Sequence, residues 1–270
     1  MMESMIISRT APGPCLFCRQ AGVRFNREHL PTESVAGCAS VELHGWVCVG
    51  CNVRFSVDEV YFASHYHGAE AGALLGVTGK RWRGALIERT DLVARYNTRM
   101  NTATMLLKRP PAQASFEFRE TGIGSLDLAP RVIDAQRVSR CLAKMALETV
   151  AWQKPDSAFD EGFDAVRDFA LRRGVLTFLP YALGAPFDDQ PCRFWEIQFT
   201  GETSWVAGAL ITLPAVSYAV QLTELADLNP LWNFARLTGM TFDQAGTRTR
   251  RVNFRLNMER PSSFSIGRRS

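Results

Sequence analysis

Four cysteines stand in two C-x2-C pairs, Cys15-Leu16-Phe17-Cys18 and Cys48-Val49-Gly50-Cys51. Each pair can give two thiolates to one ion, and two pairs complete the tetrahedral sulfur shell of a structural zinc. No other feature of the chain restricts its fold so strongly, because it requires two distant turns to meet at a point. A thiol redox role needs only one such pair, usually at a helix start in a βαβ unit, and the surrounding residues do not suggest that unit. Five of the seven cysteines fall within residues 15–51, a clustering that in a reducing compartment points to metal or catalysis before disulfides. Cys38, between the pairs, reads as a small apolar residue, Cys141 as part of an apolar helix face, and Cys192 as a loop residue.

The pairs are separated by residues 19–47, a longer gap than the roughly 15–20 residues of a plain zinc ribbon. At its centre lies Arg27-Glu28-His29-Leu30-Pro31. A carboxylate beside a histidine is by itself most simply a partly buried, paired His. Here two knuckles would pin both ends of the segment. Asn52, directly after Cys51, would open the following helix beside it.

Local patterning gives short extended pieces and then a helix. Residues 22–26 alternate as a strand does, and Pro31, which lacks an N–H for a sheet ladder, should end or bend it. Gly37 and Gly45 suggest a loop. From Val49, the positions Val53, Val57, Val60 and Tyr61 recur at helical spacing, to about Tyr66. Residues 13–62 are too short a segment for a self-sufficient core of their own, so metal binding is expected to carry much of their folding.

The pattern CLFC…REHLP…CVGCN resembles the zinc-bound subgroup of the HNH endonucleases, whose motif is C-x2-C, then [DE]-H-[IVL]-x-P, then C-x2-C-[HN]. The resemblance covers residues 13–62. It implies a ββα-metal finger: two antiparallel strands, a loop, and a helix that brings the last ligand to the histidine. It also implies that Cys15, Cys18, Cys48 and Cys51 hold structural zinc, that His29 is the general base, and that Glu28 and Asn52 hold a catalytic Mg2+ or Mn2+. Carboxylate and amide oxygens are hard ligands suited to those ions. The implied activity is hydrolysis of phosphodiester bonds in DNA. One position departs from the family. Its middle Asn, which orients the base, should fall just before Cys48, where Leu43-His44-Gly45-Trp46-Val47 stands instead. His44 either orients His29 or is an exposed loop residue. His65 and His67 lie near the end of the helix and suit its C-terminus. The alternative is a non-catalytic zinc module that binds nucleic acid or a protein partner.

The remaining chain fixes class more than function. Its 46% apolar and 21% charged residues exclude collagen-like, coiled-coil and wholly disordered chains. Helices are expected at 132–152 and 159–174, and strands at 175–179, 193–199, 204–213, 216–223 and 249–256. The expected architecture is therefore α+β, with a nuclease-like finger over residues 1–70 and a helix-plus-antiparallel-sheet domain over 71–270. Seven Arg against one acid in residues 246–270, and eight basic groups against two acids in 80–109, suit an anionic partner. Arg81, Arg83, Arg248, Arg250 and Arg251 are the candidate DNA-backbone contacts, with Arg140, Lys144 and Arg255 beside them. No signal peptide or span of about 20 apolar residues is visible, so a cytoplasmic protein with no membrane partner is expected.

Overall fold

The computed structural model describes residues 6–9, 13–32, 35, 41–65, 134–174, 192–194, 207–213 and 216–223 in full, and the backbone of further strand residues between 86 and 268. The elements are β1 (Ile6–Ser8), β2 (Phe25–Leu30), β3 (Val41–Cys48), α1 (Val49–His65), β4 (Leu86–Glu88), β5 (Leu92–Asn97), β6 (Thr102–Leu107), β7 (Phe116–Phe118), β8 (Ile123–Leu128), α2 (Ala135–Gln153) and α3 (Asp164–Ala170). The strands β9 (Tyr181–Leu183), β10 (Cys192–Gln198), β11 (Trp205–Leu213), β12 (Val216–Gln221), β13 (Phe242–Asp243), β14 (Arg250–Arg255) and β15 (Ser263–Arg268) follow. This is the expected mixed α+β class. The sheets among these strands run β1-β3-β2, β10-β11-β12-β9-β13, β14-β8-β7 and β15-β6-β5-β4. Most pairs are antiparallel; β1 with β3 and β15 with β6 are parallel.

Across Arg27–Leu30 and Val41–His44 the N-terminal sheet alternates, with a register irregularity between Phe25 and Arg27. Glu28 and Leu30 of β2, with Val41 and Leu43 of β3, face inward, while Arg27, His29, Glu42 and His44 lie on the other face. In the antiparallel register His29 stands across from Glu42 and Arg27 across from His44. β2 ends at Leu30, as Pro31 requires. Gly45 lies within β3, not in a loop, at φ +81, a conformation that a side chain rarely adopts.

α1 occupies the expected span, but its phase differs from expectation. Cys51, Phe55, Asp58 and Phe62 face inward. Val49, Val53, Val57 and Val60 are on the open side, with Val60 72% exposed. The valines have helical spacing, yet the buried face is set by Cys51, which must reach the other cysteines, and by the aromatic residues one turn and three turns on. Phe55 meets Phe17 of the first knuckle edge-on at 4.6 Å between ring centroids.

α2 is the central support. Asp134 caps its start by accepting from the N–H groups of Gln136 and Arg137. From Cys141 to Ala151 every residue is buried, because one side packs on α1 and another on β10 and β11. Packing therefore runs across the expected boundary at residue 70. The helix expected at 159–174 is instead two short 3-10 turns, Pro155–Ser157 and Glu161–Phe163, leading into α3. Cys192 opens β10 and is buried rather than lying in a loop.

Two polar clusters fasten these helices to the N-terminal unit. Asp58, 3% exposed, receives Arg137 at 3.1 Å, Arg140 at 3.0 Å and Arg172 at 3.0 Å. Arg140 is thus committed to an internal ion pair and is not a free phosphate contact. Arg167 donates to the carbonyl oxygens of Leu16, at 3.0 Å, and Ala158, and to the Asp164 carboxylate. It holds the first cysteine turn from 151 residues away in sequence. Asp58→Ala removes the shared acceptor of three arginines. The expected loss is about 1–3 kcal/mol, below the full penalty of a wholly buried pair because Arg137 and Arg172 can turn to water. Urea unfolding of the two proteins at equal zinc content measures it.

Candidate metal centre

The two C-x2-C turns meet. The Sγ atoms of Cys15, Cys18, Cys48 and Cys51 all lie within 4.8 Å of one another. Cys18 Sγ and Cys48 Sγ are 3.7 Å apart and unbonded. A tetrahedron with zinc–sulfur arms of ~2.3 Å has edges of about 3.8 Å, so the sulfurs fit one zinc ion. Three of the four cysteines are buried and Cys18 is partly open.

The first turn is closed by Arg19 N–H on Cys15 O and Cys15 N–H on Gln20 O, both at 3.0 Å, with Arg19 at φ 57. The second is the junction of β3 and α1, where Cys48 ends the strand and Cys51 lies in the first helical turn. Backbone donors point at the sulfurs: Cys48 N–H at Cys15 Sγ and Cys51 N–H at Cys48 Sγ, each at 3.4 Å. A hydrogen bond from Cys51, helped by the Cys48 N–H, holds the Cys15 thiol down to about 4. The same bond pushes Cys51 up, and burial raises Cys48. Backbone N–H groups aimed at the sulfurs favour the thiolate, and they persist when a cation replaces the shared proton. A ready thiolate in a cage of four sulfurs is the chemistry of a metal centre.

The other expected site residues surround this centre. Asn52 follows Cys51 at the start of α1 and is half-buried. Glu28 and His29 alternate on β2, so Glu28 is 4% exposed and faces the helices while His29 is half-buried on the other face. His44 is on a strand, with Nε2 3.1 Å from Glu42 Oε2. Arg27 Nε is 3.5 Å from that same oxygen. The hydrogen bond from His44 comes first among the causes that hold the Glu42 carboxyl below its usual range, with the charges of Arg27 and His29 adding to it. His65 Nδ1 lies 2.9 Å from Tyr61 O in the last turn of α1, and its ring stacks on Tyr61 at 3.9 Å.

Glu28 belongs to a buried charge cluster. Lys144 of α2, with no exposed surface, places Nζ 2.9 Å from Glu28 Oε2, 2.8 Å from Glu59 Oε1 and 2.9 Å from Glu148 Oε1. Lys144 is therefore an internal counter-ion and not a phosphate contact. Burial would lower its pKa, but the carboxylates outweigh burial and hold it well above the ordinary value. Burial raises Glu28 against the pull of Lys144. Burial also pushes Glu148 up to about 8, so it holds a proton near neutral pH, and Glu28 and Glu59 suffice to keep Lys144 charged.

Among the DNA-contact candidates, Arg81, Arg83 and Arg248 lie outside the described residues. Arg250 and Arg251 are in β14, opposite Leu128 and Asp127 in register. Cys38, Gly37 and His67 also lie outside. Among the described residues no helix is long and apolar enough to cross a membrane.

No family model, no curated protein and no solved structure matches the chain. The centre is read from its own chemistry.

Two outcomes are expected. Purified protein should carry one zinc per chain, and stripping it should unfold the segment around the cysteines, read by metal analysis and by circular dichroism with a chelator. Well under one zinc per chain, with the four thiols freely reactive, would count against the site. The second outcome concerns pH. Glu148 binds its proton more tightly folded than unfolded, so its contribution to stability is present at acid pH and lost as pH rises toward about 8. Between roughly pH 6 and 8 the unfolding midpoint should fall with pH, and Glu148→Gln should flatten that slope.

Proposed function

We propose that the protein is a metal-dependent endonuclease of the HNH type that hydrolyses phosphodiester bonds in DNA, with a structural zinc held by Cys15, Cys18, Cys48 and Cys51. What carries the reading is one observation. The cysteine cage pins the turn at residues 15–18 to the junction of β3 and α1, so Asn52 opens the helix that follows the strand paired with β2, the strand of Glu28 and His29. In this reading zinc builds the frame and takes no part in the reaction.

The fit of a second, catalytic ion rests on donor chemistry. Glu28 Oε1 is a buried carboxylate oxygen with no hydrogen-bond partner among the described residues, an atom that a cation would complete. Glu28 and the Asn52 side-chain carbonyl are the residues that would hold Mg2+ or Mn2+. Such an ion supplies charge stabilisation at the scissile phosphate and the leaving 3′ oxygen. His29 takes the proton of the attacking water, the task of an imidazole general base. Arg81, Arg83, Arg248, Arg250 and Arg251 are proposed to hold the DNA backbone.

A second reading, a non-catalytic zinc module that binds nucleic acid or a protein partner, is favoured by a specific contact. Glu28 Oε2 is already taken by Lys144, and little of the side chain is exposed. Incubation of plasmid with pure protein and Mg2+ or Mn2+, against EDTA, separates the two. His29→Ala should lower the cleavage rate by roughly 10²–10⁴-fold and leave DNA binding intact. Asn52→Ala should be partly rescued by raised Mn2+. Zinc content should persist in both variants. Equal cutting by wild type and His29→Ala removes the general-base assignment; DNA binding without cutting under either ion gives the second reading precedence. Replacing Arg248, Arg250 and Arg251 by Ala together should weaken DNA binding and flatten the salt dependence by up to about three units of log–log slope. An unchanged slope returns those residues to a solvated strand face.

A further inference from the structure

Three carboxylates from three elements converge on one ammonium. Glu28 comes from β2, Glu59 from α1 and Glu148 from α2, and each places an oxygen 2.8–2.9 Å from Lys144 Nζ. A buried lysine needs one counter-charge, and even with Glu148 protonated two further acids, Glu28 and Glu59, reach the ammonium, so the seat can take more positive charge than Lys144 brings. The orphaned atoms say the same. Glu28 Oε1 and Glu148 Oε2 are buried without a hydrogen-bond partner among the described residues. With the ammonium in place the carboxylates are held apart around it. The four cysteines form the one group among the described residues whose donor atoms close to ion-binding distance.

We infer that Lys144 is the resident cation of the Glu28 site: its ammonium fills the seat that a divalent ion would otherwise take, so Glu28 offers an arriving ion only Oε1 and holds it weakly. Three physical consequences follow. Oε2 stays fixed, which aims the carboxylate. The positive charge of Lys144 opposes a second cation nearby. Occupancy by the divalent ion then depends on ligands brought from outside the cluster, Asn52 and substrate phosphate among them, as hard ions often require. This rests on the nuclease reading only in placing an ion beside Glu28, and cleavage is not its readout.

The test is Mn2+ binding by full-length, zinc-loaded protein, followed by the electron paramagnetic resonance of free Mn2+. Lys144→Met removes the ammonium and frees Glu28 Oε2, Glu59 and Glu148. It should bind one Mn2+ at least about tenfold more tightly than wild type, and Mn2+ should raise its unfolding temperature more. Adding Glu28→Gln to Lys144→Met should abolish the gain. Equal Mn2+ affinity in wild type and Lys144→Met overturns the inference, as does a gain that survives Glu28→Gln. If Lys144→Met is unfolded without metal, recovery of its circular dichroism in Mn2+, repeated with Lys144→Gln, supports a cation seat. Failure of both variants to recover shows that the site needs an ammonium specifically, and overturns it. A wild type that never cuts DNA, together with a tighter Mn2+ site in Lys144→Met, removes the nuclease reading and leaves the resident-cation assignment standing.

Discussion

The four-sulfur cage sets what the N-terminal unit can be. It joins a turn at residues 15–18 to a strand–helix junction at 48–51, and the side chains nearest it belong to those same short pieces. Leu16 and Phe17 are buried directly beside it, and Phe17 packs on Phe55 of the helix that Cys51 begins. A segment of about 50 residues buries too small a share of its surface to offset its own chain entropy by burial alone. A metal held by the four sulfurs would supply a fixed crossing point for the strand pair and the helix. That is why Cys51, and not the valine stripe, sets the phase of α1.

A second constraint comes from far along the chain. α2 and α3 send Arg137, Arg140, Lys144 and Arg167 into the N-terminal unit, each to an acid or a carbonyl there or beside it. These pairs close loops of about 80 to 150 residues. Isolated surface pairs add little, but removing one partner of a buried pair leaves a charge with no outlet to water. The unit around the cysteines is therefore completed by helices that lie beyond residue 134, and its inner wall is supplied by α2. Lys144 makes this concrete: the residue that contacts Glu28 from the distant helix also settles what else Glu28 can bind.

The legible part of the sequence was the part governed by local rules. Cysteine spacing gave the cage, Pro31 the end of β2, and alternation or β-branched and aromatic content between Gly and Pro the strands β10 to β12. The span of α1 and the extent of α2 followed from apolar periodicity within a few residues. Illegible were the features that depend on partners distant in the chain. Arg140 and Lys144 read as candidate phosphate contacts, because nothing local reveals that Asp58, Glu28 and Glu59 are waiting for them. A signal was present nonetheless: Lys144 and Glu148 stand four apart in Cys141-Leu142-Ala143-Lys144-Met145-Ala146-Leu147-Glu148, a run otherwise apolar on every side. A helix apolar all round is buried, and charges inside such a helix must be paired. Glu42 was missed for a simpler reason, since cross-strand neighbours depend on a register that the ten residues between β2 and β3 do not reveal.

The alternation of β2 also bears on how one motif can serve two ends. Glu28 and His29 are adjacent in sequence, and a strand sends adjacent side chains to opposite faces. Glu28 thus enters the interior, where a carboxylate must find a cation, while His29 meets Glu42 and the more open face of the sheet. An enzyme needs both groups at one phosphate, and that phosphate can be reached from both faces only at a sheet edge. β2 is such an edge, since the sheet runs β1-β3-β2. Under the proposed nuclease reading, a phosphate would approach alongside this edge, toward the helix start that carries Asn52 and the outer face that carries His29. A central strand bearing the same two residues would be covered on both sides by neighbouring strands, and no phosphate could reach both. The placement of the pair on an edge is thus the geometric condition under which a buried acid and a more open base can act on the same bond.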